Sequence, residues 1–187
     1  GTNGWVTMGF PSAKFEVDAK AAMKVAIDGA QKLYIYEGGL AFNGDTAPAN
    51  SLDDYETGTW TPTVAGGSIE GSPTYTIQVG TYTKIGNKVH VEVYVKTSAT
   101  GTAAGSVRIN GLPFTSHSIT SGYSTVNVGY AANLAILAGS NISGTCGPSR
   151  TYIGLENWDS TTGVSPLQIT EWTADGAMIF SVEYTAA

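Results

Sequence analysis

Residues 75–97 read YTIQVGTYTKIGNKVHVEVYVKT, and they carry the clearest structural signal in the chain. Two runs rich in Val, Ile, Tyr and Thr, Tyr75–Tyr82 and Val89–Thr97, flank a polar turn at Gly86 and Asn87. Both turn residues tolerate the positive φ that reverses a chain between two strands. The stretch therefore predicts a β-hairpin.

The second strand of this hairpin alternates strictly between apolar and mostly polar residues. One set comprises Val89, Val91, Val93 and Val95, and the other comprises His90, Glu92, Tyr94 and Lys96. Such alternation is typical of an antiparallel strand that packs one face on a core and exposes the other to solvent.

Further strands follow the hairpin at short and regular spacing, with turn residues between them. They are predicted over Ser106–Leu112, Val126–Leu137, Thr151–Leu155, Leu167–Trp172 and Met178–Tyr184. The 24 glycines and the low charged fraction of 13% favour strands joined by tight turns over solvated helices. We expect an all-β fold built around an antiparallel β-sandwich or jelly roll.

Strand-like alternation also marks the N-terminal region. Between Lys14 and Asp28 the odd positions from Phe15 to Ile27 are apolar and most even positions are charged, although the alanines leave a helix over 18–28 open. Shorter runs follow at Lys32–Tyr36 and Leu40–Phe42. An isolated ribbon of this kind leaves its apolar face in water, so we expect copies of the chain to wind together as a short β-shaft.

The chain is accordingly divided into two predicted regions. Residues 46–51 contain Pro48 and small residues and are interpreted as a linker. Residues 1–51 then form the shaft segment with its linker, and residues 52–187 form the β-sandwich domain. The N-terminal Gly-Thr-Asn-Gly suggests a fragment of something longer.

Composition argues against several classes of partner. The net charge of −6 and the absence of basic clusters argue against nucleic acid as a ligand, and no apolar run of membrane-spanning length is present. His90 and His117 stand alone, so we predict no metal and no cofactor. Cys146 is the only cysteine and is expected to be a buried thiol.

Three segments resemble the C-terminal domains of phage tail fibre and tailspike proteins. They are LDDYETGTWTP at 52–62, GTYTKIGN at 80–87 and NGLPFT at 110–115, in the order that the family shows. The resemblance covers residues 52–116. It implies a homotrimer at the distal tip of an extracellular virion tail that binds a bacterial surface glycan or outer protein and joins the rest of the phage tail.

The same segments also have an interpretation from their residues alone. Asp53, Asp54 and Glu56 could bind a cation or form part of a catalytic pair, but a solvated turn is the commoner role. Trp60 beside Pro62 is expected to seal the start of the sandwich, and Pro113 with Phe114 to end a strand against the core.

Candidate ligand-binding residues lie in the C-terminal half, because glycan sites place aromatic faces among polar groups on exposed loops. The predicted contacts are Trp158, Asn157, Asp159, Tyr123, Arg150 and His117. Trp158 ranks first because it stands in a turn-rich stretch, although packing at a trimer interface would also explain it. Trp172 is predicted to have a structural role. The N-glycosylation sequon at Asn141–Ser143 is interpreted as an ordinary turn.

No nucleophile motif or phosphate loop is present in the sequence, and we predict a binding module and not an enzyme. Two alternatives stay open. The domain could serve only for trimerisation, capping or virion decoration. It could also be a small polysaccharide hydrolase that uses Glu156 with Asp159 or Glu171, since glycosidases need two carboxylates; Asp175 is a further candidate.

Overall fold

The computed structural model describes residues 22–36, 38–44, 51–52, 54–160 and 162–187, and divides the chain into two compact units, 1–53 and 54–187. The described residues form strands and contain no helix, so none could cross a membrane as a helix. In chain order the strands are β1 (Ala22–Ile27), β2 (Ala30–Tyr36), β3 (Gly39–Phe42), β4 (Tyr55–Trp60), β5 (Thr63–Gly66), β6 (Thr74–Ile85), β7 (Lys88–Ala99), β8 (Val107–Asn110), β9 (Ser124–Leu134), β10 (Asn141–Cys146), β11 (Tyr152–Ser160), β12 (Gly163–Pro166) and β13 (Trp172–Thr185). The predicted all-β fold is confirmed.

The first unit contains a three-stranded antiparallel sheet in the order β1-β2-β3. Strand periodicity is confirmed over 22–27, where the alternative helix is wrong, while residues 14–21 and 46–50 lie outside the described residues. Two cross-strand rows share one side of this sheet. These six residues, called the ribbon face below, are Met23, Ile35 and Leu40 in one row and Val25, Leu33 and Phe42 in the other.

The ribbon face remains partly open to solvent in the single chain. Val25 is 43% exposed, Ile35 37% and Phe42 51%. All six positions carry apolar side chains, so the face exposes surface that would be more stable if another surface covered it.

The second unit is a curled antiparallel sheet in the order β4-β6-β7-β13-β9-β10-β11-β8-β5, with β12 paired to β11. Its two edge strands, β4 and β5, are joined through Thr61 and Pro62, so the curl brings the two ends of the sheet together. Strand β9 links the halves, because its first residues pair with β10 and its later residues pair with β13. Side chains from the inner faces of both halves form one hydrophobic core.

The β6–β7 hairpin has the predicted turn. Ile85 pairs with Lys88, and Gly86 takes a φ of +57° between them. Val89, Val91 and Val95 have no exposed surface and point into the core, whereas His90 lies exposed on the opposite face, as predicted.

The predicted packing residues occupy the core or its margin. Trp60 is 9% exposed and lies opposite Gly80, where a Cβ would come within 2.6 Å of the indole nitrogen. Phe114 packs edge-on against Tyr82, and Trp172 is 1% exposed. Cys146 is buried as predicted, and burial raises the pKa of its thiol.

The predicted strand at 167–172 and the predicted turn at 141–143 are wrong. Residues 167–171 form a turn and not a strand, and Trp172 begins β13; the carboxylate of Glu171 accepts a hydrogen bond of 2.7 Å from the backbone N–H of Gln168 and closes the turn. Leu167 and Ile169 still point into the core, which explains the misleading alternation. The Asn141–Ser143 turn is instead the start of strand β10, whose Gly, Ser and Thr residues gave little strand signal.

The acidic cluster was expected to be a turn, but part of it lies in a strand. Glu56 belongs to β4 and pairs in register with Lys84 of β6, whose ammonium nitrogen is 4.0 Å from its carboxylate. Asp54 forms a closer ion pair with the same lysine. Asp53 lies outside the described residues.

Candidate functional site

The outer face of strand β11 is the structural basis of the candidate site. Alternate residues of this strand, Ile153 and Leu155, are buried in the core, so the residues between them point outward. The outward positions are, in order, Tyr152, Gly154, Glu156 and Trp158. With a rise of about 3.3 Å per residue, these positions span roughly 20 Å, which is enough for several units of an extended ligand.

One end of this face brings together both arginines of the chain. The guanidinium carbons of Arg108 and Arg150 lie over the ring of Tyr152, 4.5 Å and 5.0 Å from its centroid. Each arginine reaches the ring from a different element. Arg108 lies on β8, where it pairs with Gly154, and Arg150 ends the turn before β11.

Backbone contacts hold Arg150 in position beside the ring. Its N–H donates to the hydroxyl of Ser116 over 2.9 Å, and that hydroxyl donates in turn to the carbonyl of Gly147 over 2.6 Å. Ser116 is 3% exposed, so this link is protected from water. The backbone of Arg150 is therefore fixed beside the ring by a buried hydrogen-bond network.

Neither arginine is neutralised by a carboxylate in the part of the chain that the structure describes: the ion pairs found there join Lys84 to Asp54 and Glu56. Two cations thus converge on the surface of a chain whose net charge is −6. Both guanidinium carbons lie within 5.0 Å of the same ring centroid, so their charges repel each other, and an anionic ligand would relieve that repulsion.

A small cavity of about 190 Å³ lies beside the arginines. Tyr152, Thr145 and Glu156 contribute to its wall, and the Thr145 hydroxyl donates to the Glu156 carboxylate over 3.5 Å. The wall therefore combines cationic donors, an anionic acceptor, a hydroxyl and an aromatic ring, which are the groups that bind polar ligands such as sugars.

Three of the predicted ligand residues lie near this end of the face. The ring of His117 lies against Gly122, and a Cβ on Gly147 would stand 3.0 Å from the ring of Tyr123 and 3.1 Å from Nε of Arg150. Tyr123 and Arg150 therefore both lie against Gly147, and His117 lies against Gly122, the residue before Tyr123. Tyr123 is 56% exposed and available to a ligand.

The other three predicted residues lie at the far end of β11. Trp158 is 55% exposed, but it belongs to the strand and not to a turn. Asp159 is exposed and accepts a hydrogen bond of 2.6 Å from Ser165. Asn157 is 1% exposed and points into the core, so it is not available to a surface ligand.

The carboxylates considered for hydrolysis have local partners. Glu171 closes the turn described above, and Asp159 accepts from Ser165. Asp175 accepts from Asn133 over 2.8 Å and from Thr173 over 2.9 Å. Glu156 is the one that faces the cavity. Within the described ranges, His, Cys, Asp and Glu side chains form no group of three that could hold a metal ion.

No family model and no curated protein matches this sequence. Among solved structures, the chain is similar to the Dettilon tailspike protein, with 18% sequence identity and a TM-score of 0.61 over 71% of this chain. The matched part of this chain and the tailspike share a fold. The chain spans 24% of the length of that tailspike, so the similarity concerns one part of a larger protein.

Sequence reasoning missed three residues of the site, Arg108, Thr145 and Tyr152. Arg108 and Tyr152 are separated by 43 intervening residues and meet because β8 and β11 are neighbours in the sheet. One signal was available, because Arg108 and Arg150 are the only arginines in the sequence. The small number of arginines, however, does not indicate that these two lie together in the folded chain.

Proposed function

We propose that this chain is a distal part of a phage tail fibre or tailspike that binds a glycan on the surface of a host bacterium. The observation that carries the proposal is the outer face of β11, which presents exposed Trp158 and, at its other end, Tyr152 with Arg108 and Arg150 over its ring. Aromatic rings bind the apolar faces of sugars, and the polar groups between them bind hydroxyls. The shared tailspike fold supports this role.

We further propose that the chain acts as a homotrimer. The exposed ribbon face of the first unit supports self-association, since an apolar sheet face is more stable when another surface covers it. Three weak sites on one rigid tip would then act together, and the gain in avidity would allow firm attachment while each contact stays reversible. Binding, and not hydrolysis, is the proposed activity.

Loss of the Trp158 ring tests the binding proposal. We expect Trp158→Ala to lower adsorption of the chain to susceptible bacteria roughly tenfold, because an exposed aromatic anchor supplies much of the binding energy of such sites. The assay measures retention of labelled chain on a panel of bacterial strains, and competition with phage adsorption. Leu137→Ala, which shortens another exposed apolar side chain, is the matched control.

A chain that adsorbs to none of the strains would contradict the binding proposal and favour a purely structural role. One observation supports that second candidate. Val79, Tyr94, Ile179 and Tyr130 form an apolar row across four strands on the outer face of the second unit. A concavity of about 500 Å³ is lined by Val79, Tyr94 and Ile179 of this row, and Glu92 is the only charged side chain among its described lining residues.

A further inference from the structure

We propose that the cavity between Arg108, Arg150 and Tyr152, called the arginine cavity below, binds a sugar that carries a carboxylate. This inference rests on the proposed glycan-binding function and specifies its ligand class. The site is distinct from Trp158, which lies at the opposite end of the β11 face and would bind a neutral part of the same chain of sugars.

The first argument is the geometry of the two guanidinium groups. A guanidinium that stacks on an aromatic ring keeps its N–H donors at the edge free for other partners. Both guanidinium carbons lie over the Tyr152 ring, at 4.5 Å and 5.0 Å from its centroid. Guanidinium edges bind carboxylates through paired, charge-assisted hydrogen bonds, so two of them at one cavity favour an acidic ligand.

The second argument is the charge of the cavity wall. Arg108, Arg150 and Glu156 are the charged residues among its described lining, which gives a local charge of +2 − 1 = +1. This charge fits a monoanion such as a carboxylate. The negative charge of Glu156 makes the same wall less favourable for a phosphate dianion, since like charges repel at short range.

The third argument is size and polarity. The arginine cavity of about 190 Å³ is smaller than the roughly 300–1,000 Å³ of pockets for drug-sized ligands, and suits a single sugar ring. Thr145 and Glu156 offer a hydroxyl and a carboxylate for the ring hydroxyls, while Leu155 and Pro166 supply apolar wall. A small inorganic anion would make no contact with this hydroxyl, carboxylate and apolar wall, whereas a sugar ring would contact all three.

The test is a glycan array probed with the full chain. It carries oligosaccharides ending in glucuronate, galacturonate or sialic acid, the matched methyl esters, and sugar phosphates of the same ring types. We expect at least one carboxylate-bearing glycan to bind about tenfold more tightly than its methyl ester, and the preference to weaken as salt is raised. The sugar phosphates distinguish a carboxylate from a phosphate source.

Substitutions connect such binding to the arginine cavity. Arg108→Gln and Arg150→Gln should each weaken binding of the acidic glycan about tenfold, and Arg108→Lys should restore part of it because the charge is kept while the stacked fork is lost. Lys96→Gln removes a cation that lies outside the cavity and is the matched control. Urea midpoints of all variants establish that they remain folded.

Equal binding of each acid and its ester, preference for the sugar phosphates, or acid binding that survives both glutamine substitutions would each overturn the inference. Its failure is distinguishable from failure of the proposed function. A chain that still adsorbs to bacteria, and loses adsorption with Trp158→Ala but not with Arg108→Gln and Arg150→Gln, binds a neutral glycan. A chain that adsorbs to no strain contradicts the proposed function itself.

Discussion

At the scale of single residues, the interior of the second unit contains polar groups whose hydrogen bonds depend on one specific partner. Thr97 has no exposed surface, and its hydroxyl accepts the indole N–H of Trp172 over 2.9 Å. The same hydroxyl donates to the carbonyl of Gly176 over 3.4 Å. Removing the Thr97 hydroxyl would leave the buried indole N–H of Trp172 without an acceptor, which costs more free energy than an average hydrogen bond contributes.

We therefore expect Thr97→Val, which keeps the shape of the side chain, to lower the free energy of unfolding by about 1–3 kcal/mol. Urea denaturation followed by tryptophan fluorescence measures the change. Thr76→Val, at an exposed position of β6, is the control and should stay close to the wild type. An unchanged midpoint for Thr97→Val would show that the indole finds another acceptor.

Tyr184 is a second residue with a specific buried partner. Its hydroxyl donates to the carbonyl of Phe114 over 3.0 Å and accepts from the Phe114 N–H over 3.3 Å. Burial raises the pKa of this phenol above its usual value near 10. The folded state therefore holds the proton more tightly than the unfolded state does.

This raised pKa makes stability depend on alkaline pH. The contribution of Tyr184 is fully present below about pH 10 and is lost as the pH rises from there towards the folded-state pKa. We expect the urea midpoint of the wild type to fall more steeply between about pH 9 and pH 11 than that of Tyr184→Phe. Parallel slopes would contradict burial as the cause.

At the scale of elements, the β6–β7 hairpin depends on one backbone conformation. Gly86 has a φ of +57°, and its N–H donates to the carbonyl of Asp54 over 2.7 Å. A Cβ at this position would meet no atom within 4 Å, so a substitution is disfavoured by conformation and not by a clash.

We expect Gly86→Ala to lower the free energy of unfolding by about 1 kcal/mol, the usual cost of a left-handed conformation for a residue with a side chain. Gly129→Ala is the matched control. Gly129 has no positive φ, and the nearest atom to its added Cβ is the carbonyl oxygen of Ile179 at 3.9 Å. Equal effects of the two substitutions in urea titrations would argue against conformational strain at Gly86.

How well a strand could be predicted from the sequence depended on the strength of its own apolar pattern. The β7 strand was recognised because four valines alternate with polar residues over a long run. Strand β10 was missed because its residues, NISGTC, include only two with strong apolar character. It is a strand because β9 and β11 pair with it on either side, and the sequence does not contain that information locally.

At the scale of the whole molecule, the proposed trimer can be tested directly. A single chain has a mass of 19.4 kDa, and we expect light scattering to give about three times this value. Val25→Lys should shift the mass towards that of one chain, because it places a charge on the ribbon face. Lys24→Glu changes the charge on the opposite side of β1 and should leave the mass unaltered.

A wild-type chain that is monomeric at micromolar concentration would contradict the trimer proposal and the avidity mechanism with it. A trimer that persists in Val25→Lys would assign the contact to a different surface. In that case the apolar row of the second unit, which includes Ile179 with 41% exposure, becomes the next face to test.

The sequence by itself determined the fold class, the β6–β7 hairpin, the inward valines of β7 and the packing role of Trp60. These features depend on alternation and turn chemistry, which act between residues close together in the chain. It also pointed to Trp158, Tyr123 and Arg150 as exposed candidates.

Only the tertiary structure decided how the candidate site is assembled. Arg108 meets Arg150 over Tyr152 because β8 pairs with β11, and Asn157 is buried because it falls on the inner side of its strand. Which strands become neighbours in a curled sheet follows from packing of the whole core. Contacts between residues far apart in the chain therefore cannot be derived from local periodicity.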